Sequence, residues 1–353
     1  MSNSARTILV RADANREMGI GHAMRCLAVA EQCIAQGYHV VFAMHQVPDP
    51  LLARLEKASI DVRRLTNVEA NLANFHTLLQ ETNAGFVLID GYHISNEYEK
   101  SLRTSAVRSL RFDDYMPGDV CYADVVVNAS PHAQQTAYAK WAPHAALMLG
   151  PKHISFRSDM IAAHGRMITR QKTAGTASDT NGNTSILVNF GGSDHLDMTI
   201  ETVSAIAAHL PDAKIEAVTG AAYPNPERLS DLGLETLIHH HNTDNLAEIM
   251  QRARMAISAG GLTVAELALF RIPTILAITA QNQVKGAHVS WCHTIIPEEN
   301  SRIDRAHLLE KILEEAKRLW QHPEERALIT SRIPDELDIL GTKRIVKALI
   351  GDA

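Results

Sequence analysis

The chain has 353 residues, 46% of them hydrophobic and 21% charged, with a formal net charge of −6. That length allows a large buried core and corresponds to about two domains. The acidic balance argues against a nucleic-acid footprint, and no apolar run approaches the roughly 18 residues that span a membrane. The four cysteines, Cys26, Cys33, Cys121 and Cys292, have no Cys-x-x-Cys spacing. The first residues run straight into a strand pattern without a secretion signal, so reduced thiols and a cytoplasmic protein are expected, and structural zinc is not.

Short β-rich runs alternate with helical patterns from the start. In the first half, strands are expected at 8–10, 39–43, 62–65, 86–89, 109–112 and 125–127, with helices between them, for example 23–36 and 68–81. Alternation of this kind argues for parallel sheets with crossover helices. The second half repeats it: strands at 185–190, 215–218, 255–258 and 274–278, and helices at 199–209, 246–252 and 263–270. Helical patterns follow at 304–321 and 343–350. The small, polar, aperiodic run at 172–184 reads as an exposed linker or insertion. The expected division is therefore 1–160 as a sugar-binding, catalytic domain and 161–184 as a connecting helix and linker. A nucleotide-binding domain follows at 185–335, then a C-terminal helix, 336–353, that packs back on the first domain. Two doubly wound domains bind ligands at the carboxyl ends of their strands, which places the expected site in a cleft between them.

Four turns carry chemistry. In the first, the run from Ile8 to Val10 leads through Asp13 to Gly19-Ile-Gly21-His22, where a helix opens. Glycines let the backbone turn tightly, and a helix amino end attracts anions while disfavouring an imidazolium. His22 is thus a candidate neutral general base toward water, or simply a helix cap. Asp13 either orients His22 or binds a sugar hydroxyl. The second is Asp90-Gly-Tyr92-His93, where the tyrosine offers a flat ring and a hydroxyl suited to a pyranose. Nearby, Asp113 and Asp114 can bind hydroxyls or share a proton, although adjacent residues in extended chain point opposite ways.

The third turn, Asn189-Phe-Gly191-Gly192-Ser193-Asp194, can cradle a phosphate, or is an ordinary turn capped by Ser193 or Asp194. The fourth is Ser258-Ala-Gly260-Gly261-Leu262-Thr263-Val-Ala-Glu266. Its glycines and the amides of Leu262 and Thr263 suit a diphosphate, and Glu266, one helical turn on, can accept from ribose hydroxyls. The amides of Asn282 and Gln283, after the next strand, can bond sugar or base groups. The run His239-His240-His241 matches no metal-ligand spacing and reads as a polar loop or strand edge, and no Walker A or Gly-x-Gly-x-x-Gly motif occurs.

Together these segments, from Arg11-Ala-Asp13, Gly19-Ile-Gly21-His22 and Arg25-Cys26 through Ile89-Asp90-Gly-Tyr92 and Phe112-Asp113-Asp114 to the two glycine turns and Asn282-Gln283, resemble the PseG-type UDP-sugar hydrolases of pseudaminic acid biosynthesis. The likeness runs in order along nearly the whole chain. The second half is also similar to the nucleotide-binding half of MurG-like glycosyltransferases. The resemblance implies a GT-B fold of two Rossmann-like domains, with UDP held mainly by the second. It implies hydrolysis of UDP-2,4-diacetamido-2,4,6-trideoxy-β-L-altropyranose to UDP and free sugar, without metal or cofactor. His22 matches the family's base and Tyr92 its active-site tyrosine. The expected site is then His22, Tyr92 and Asp13 for catalysis, with Gly19, Gly21, Arg25, Asp113, Gly191, Gly192, Ser193, Ser258, Gly260, Gly261, Leu262, Thr263, Glu266, Asn282 and Gln283 for binding. A small-molecule UDP-sugar is the expected partner, with no nucleic acid or membrane, and a monomer is favoured. The run after Gln283 departs from the family pattern. On this fold a glycosyltransferase with a UDP-aminosugar donor and a non-catalytic sugar-nucleotide binder are the alternatives.

Overall fold

The run from Thr7 to Ala12 is almost wholly buried, as expected of a central parallel strand covered on both faces. In the computed structural model, which describes residues 6–15, 18–65, 71–103, 105–174, 185–284, 289–297 and 303–351, it is the first strand of a doubly wound sheet. The chain forms two units, 1–158 with 336–353, and 159–335.

The first unit runs β1 (Thr7–Ala12), α1 (Gly21–Ile34), β2 (His39–Met44), α2 (Asp49–Lys57), β3 (Asp61–Arg64), α3 (Asn71–Thr82) and β4 (Phe86–Asp90). It continues with α4 (Glu97–Leu102), β5 (Arg108–Phe112), β6 (Val125–Asn128), α5 (Gln135–Trp141) and β7 (Ala146–Leu149). The seven strands lie in the order β3-β2-β1-β4-β5-β6-β7, all parallel. The order reverses between β1 and β4, where Ala12 pairs with Asp90. A doubly wound sheet opens its ligand crevice at such a point. One face buries Leu9, Val41, Phe75, Val87, Ile89 and Tyr98 in a single cluster.

The second unit starts within α6 (Ser158–Ala174); the remainder of the expected linker, 175–184, lies outside the described residues. It continues with β8 (Ser185–Asn189), α7 (Met198–His209), β9 (Lys214–Thr219), α8 (Glu227–Ser230), β10 (Leu237–His241), α9 (Leu246–Arg252) and β11 (Ala253–Ala259). Then come α10 (Leu262–Leu269), β12 (Thr274–Ala277), α11 (Gln281–Val284), β13 (His293–Ile295), α12 (Arg305–Gln321) and α13 (Pro323–Ser331). Its strand order is β10-β9-β8-β11-β12-β13, again parallel, with the reversal between β8 and β11. Ile186, Val188, Met255, Ile257 and Ile275 of the sheet bury against Leu308, Ile312 and Leu319 of α12.

The last helix, α14 (Gly341–Ile350), belongs to the first unit. Ile345, Val346 and Leu349 are fully buried, and Thr342 Oγ1 donates to Phe156 O at 2.9 Å. Gly341 lies directly on the backbone at Ile154, where a Cβ would sit 2.1 Å from the carbonyl oxygen. Only glycine lets the helix start there.

The triple histidine falls on β10, an edge strand. Alternation splits it: His239 and His241 share the Thr219 hydroxyl, at 2.8 and 3.1 Å, while His240 bonds Glu216 at 2.9 Å. Among the described residues no three His, Cys, Asp or Glu side chains are grouped to hold a metal ion, and no helix is long and apolar enough to cross a membrane. All four cysteines are buried and free.

Candidate active site

The first unit's candidate site grows from the loop that follows β1. Asn15 stitches this loop: its carbonyl accepts from Gly19 N at 2.9 Å and its Oδ1 from Met18 N at 2.7 Å. Gly19, at φ +77°, turns the chain in the left-handed region that favours glycine. The chain then enters α1 at Gly21. No side chain caps this end and no acidic residue occupies its first turn, so the first-turn N–H groups keep their attraction for negative charge.

His22 sits in that turn, 6% exposed. Its Nδ1 lies 2.8 Å from Oδ1 of Asp90, the fully buried residue that ends β4. An ionised carboxylate only accepts, so Nδ1 carries the proton and, in the neutral ring, Nε2 carries the lone pair. Arg25, one turn along α1, donates from Nε to Asp90 Oδ2 at 2.5 Å and from Nη2 to Oδ1 at 2.7 Å. The same guanidinium reaches Asp114 at 3.1 and 3.0 Å and stacks over Phe112. Burial pushes the Asp90 carboxyl up, but Arg25 and His22 more than offset it and hold it at about 2. Burial opposes charge on Arg25 too, yet Asp114 and Asp90 keep it firmly protonated. A fixed anion–cation–anion chain therefore orients the imidazole.

Tyr92 packs edge-on against His22 with ring centroids 4.5 Å apart, and its hydroxyl donates to Asp114 Oδ2 at 3.2 Å. Burial, then the Asp114 charge, push the phenol well above its ordinary range, so the hydroxyl stays a donor. A cavity of about 160 Å³ opens beside this group, lined among others by Arg25, Asp90, Tyr92, Phe112, Asp114 and Tyr115. Beneath it a buried ion pair joins Arg111 to Glu99, at 3.1 Å to each oxygen.

One expected role is corrected. Asp13 does not orient His22; Asp90 does. Asp13 is buried and accepts instead from His45 N at 2.6 Å, Gln46 N at 3.1 Å, Arg11 Nη1 at 2.8 Å and His93 Nε2 at 2.7 Å. The cause is strand order, since β1 lies beside β2 as well as β4 and the first residues after β2 cover the Asp13 carboxylate. Asp113 borders the cavity, and its carboxylate accepts from Tyr138 Oη at 2.6 Å and Met116 N at 2.9 Å. Its neighbour Asp114 takes the place beside Arg25.

In the second unit, the glycine turns sit at the carboxyl ends of the adjacent strands β8 and β11. Asn189 ties its turn down, accepting from Gly191 N at 3.2 Å and donating to Val218 O at 3.0 Å. Gly192 packs against Gly220 so closely that a Cβ on the latter would meet its Cα at 2.5 Å. Asp194 caps α7, accepting from Met198 N at 3.0 Å and Thr199 N at 2.7 Å. Ser193, half-buried, takes no part in that cap. After β11, Gly260 and Gly261 lead into α10, whose amino end has no side-chain cap and no acidic residue in its first turn, which spans Leu262 and Thr263. Glu266 lies one turn on, 7% exposed. Ser258 is buried and gives its hydroxyl to Ala259 O at 3.0 Å, so it shapes the turn rather than presenting a donor. Gln283 packs on Gly260 and its Oε1 accepts from Thr279 N at 2.9 Å, which fixes the loop after β12. Asn282 lies in α11, and its side chain is outside the described residues.

No family model matches the sequence. Two curated proteins are similar. An uncharacterised protein of Methanocaldococcus jannaschii is 24% identical over 285 residues, 79% of this chain; the chain spans only 56% of that relative's length. A UDP-2,4-diacetamido-2,4,6-trideoxy-β-L-altropyranose hydrolase of Campylobacter jejuni is 23% identical over 268 residues, 72% of this chain and 85% of its own. Among solved structures, MurG of Acinetobacter baumannii aligns over 97% of this chain and 99% of its own, with a TM-score of 0.58 and 14% identity. The fold is GT-B. A UDP-GlcNAc 2-epimerase from Neisseria meningitidis, bound to UDP-GlcNAc, aligns over 98% of this chain and 100% of its own, with a TM-score of 0.65 and 10% identity.

Proposed function

We propose that the protein hydrolyses a UDP-linked deoxy-diacetamido sugar to UDP and free sugar, with inversion at the anomeric carbon, as a step in nonulosonic (pseudaminic) acid biosynthesis. The observation that carries this reading is the bond that orients His22. Its Nδ1 is committed to Asp90, so Nε2 is the one ring atom able to take a proton. His22 Nε2 removes a proton from water as the water oxygen bonds to the anomeric carbon and the bond to UDP breaks. Tyr92 and Asp114 hold the sugar. The amide groups at Gly191–Ser193 and at the start of α10 receive the diphosphate, with Glu266 on the ribose, so the reading needs no metal ion. The relative of C. jejuni supports the substrate class by its name.

The test is UDP release from a panel of UDP-deoxyaminosugars with no acceptor present, with the product anomer followed by NMR. Release of an inverted free sugar supports the reading. Turnover that requires an added acceptor makes the protein a transferase instead.

A further inference from the structure

After β5 the chain turns at once through Asp113-Asp114-Tyr115-Met116. Asp113 holds that turn, both of its carboxylate oxygens accepting from Met116 N, at 3.2 and 2.9 Å. Met116 is at φ +52°, in the left-handed region that a residue with a side chain enters only when its surroundings hold it there. The next residues are pinned as well. Asn96 Nδ2 and Trp141 Nε1 both donate to Pro117 O, at 2.9 and 3.1 Å. The fixed turn sets Tyr115 against Tyr92, with ring centroids 4.7 Å apart.

Tyr115 is thereby a wall of the cavity beside His22, whose lining includes four rings, those of Tyr92, Phe112, Tyr115 and Pro117. Its volume of about 160 Å³ is below the roughly 300–1,000 Å³ that encloses a drug-sized ligand, so it takes one substituent of a sugar rather than a sugar nucleotide. The charges narrow the choice. Asp90 and Asp114 share the one cation Arg25, so an anionic substituent meets net negative charge. An ammonium group meets the Arg25 guanidinium, which also lines the cavity. A neutral substituent remains. Asp114 Oδ2 accepts from both Arg25 Nη2 and Tyr92, whereas Oδ1 accepts from Arg25 Nη1 alone. A carboxylate oxygen has two lone pairs, so Asp114, 29% exposed, keeps one acceptor position for a ligand. A hydroxyl group uses that position and leaves the rings uncovered. An acetamido group offers both an N–H and a methyl group.

We propose that this cavity seats an acetamido substituent of the sugar, and that Tyr115 is the residue that selects for it. The amide N–H donates to Asp114 Oδ1, the methyl group lies among Tyr92, Phe112 and Tyr115, and the carbonyl stays at the cavity mouth in water. This deepens the reading above and rests on its placing of the sugar at Tyr92 and Asp114. It does not require that the sugar nucleotide be hydrolysed.

The experiment is saturation-transfer NMR on the full-length protein, irradiating its aromatic protons, with three free sugars: 2,4-diacetamido-2,4,6-trideoxyaltrose, the corresponding diamine and 6-deoxyaltrose. In wild type one acetamido methyl group receives more saturation than the ring protons, and the diacetamido sugar binds at least tenfold more tightly than the other two. Tyr115→Leu weakens its binding about tenfold, the low end for an apolar contact removed from a pocket, and lowers the saturation of that methyl group. Tyr115→Phe keeps the ring and restores both. A purely structural tyrosine would change Tm and leave the preference among the three sugars intact. A diacetamido sugar that binds wild type no better than the other two overturns the seat, however Tyr115→Leu folds. A folded Tyr115→Leu protein with unchanged affinity overturns the role of Tyr115. Failure of the hydrolase reading shows separately, as no acceptor-free UDP release, and leaves these binding results standing.

Discussion

Asp90→Asn is the sharpest probe of how the site is built, because it keeps the shape of the side chain and removes only charge and one acceptor. Asp90 is wholly buried, and both oxygens are in use, one toward His22 and Arg25 and the other toward Arg25 Nε. Asparagine must turn an NH₂ toward one of those groups. Facing His22, it requires Nδ1 to accept, which moves the ring proton to Nε2 and leaves no base for water. Facing Arg25, it sets N–H against N–H in a buried position. The expected loss in kcat is about 10²–10⁴-fold, the size of the general-base contribution. Stability falls as well. Breaking one side of a buried ion pair costs roughly 3–5 kcal/mol, and the low end applies because Arg25 keeps Asp114.

The titration of Asp90 agrees in sign and size. Its carboxyl moves from the ordinary 3.8 to about 2 on folding. Such a depressed group contributes roughly 2–3 kcal/mol, fully present above pH 3.8 and lost as pH falls through about 2. Acceptor-free UDP release and urea unfolding at pH 7 and pH 3 read both effects. Activity within tenfold of wild type, or an unfolding free energy unchanged at pH 7, would refute the argument.

Other changes separate sugar, nucleotide and scaffold. Tyr92→Phe keeps the ring against His22 and loses the hydroxyl bond to Asp114, so unfolding free energy should shift by under about 1 kcal/mol while kcat/KM falls about tenfold. A wild-type kcat/KM removes that hydroxyl from substrate binding. Gly220→Ala drives a Cβ to 2.5 Å from Gly192 Cα and should cost about 1–3 kcal/mol. It also displaces the turn at Gly191, so calorimetry should give a UDP Kd raised about tenfold; an unaltered Kd excludes the turn from the nucleotide site. Gly341→Ala, with its Cβ 2.1 Å from Ile154 O, should lift the start of α14 and lower Tm, at a similar 1–3 kcal/mol. An unshifted Tm contradicts the packing described for that helix.

The central strands were legible because they are buried on both faces and read as apolar runs: β1, β4, β8 and β11 fall where the pattern puts them. The strands that the pattern passes over, β7 and β13, each lie at one edge of their sheet, as does β10, read only as a loop or strand edge; β3, at the other edge of the first sheet, is the outer strand that the pattern does mark. An outer strand has one neighbour and partly solvated faces, so β7 is only partly buried and β10 can carry three histidines. The glycine turns announced themselves because backbone needs glycine there. The pairing of acids with histidines did not. Whether Asp13 or Asp90 meets His22 depends on β1 lying beside both β2 and β4, a fact about strand order that no local segment contains. For the same reason the bond of His93 to Asp13 is not readable from its own segment.

The most direct test of the account follows UDP release and product anomer by NMR, with UDP-2,4-diacetamido-2,4,6-trideoxy-β-L-altropyranose as substrate and no acceptor, for wild type and His22→Asn. The account predicts an inverted free sugar from wild type and turnover lower by about 10²–10⁴-fold in the variant. Wild-type turnover in His22→Asn, or a retained anomer from the wild-type protein, would contradict it.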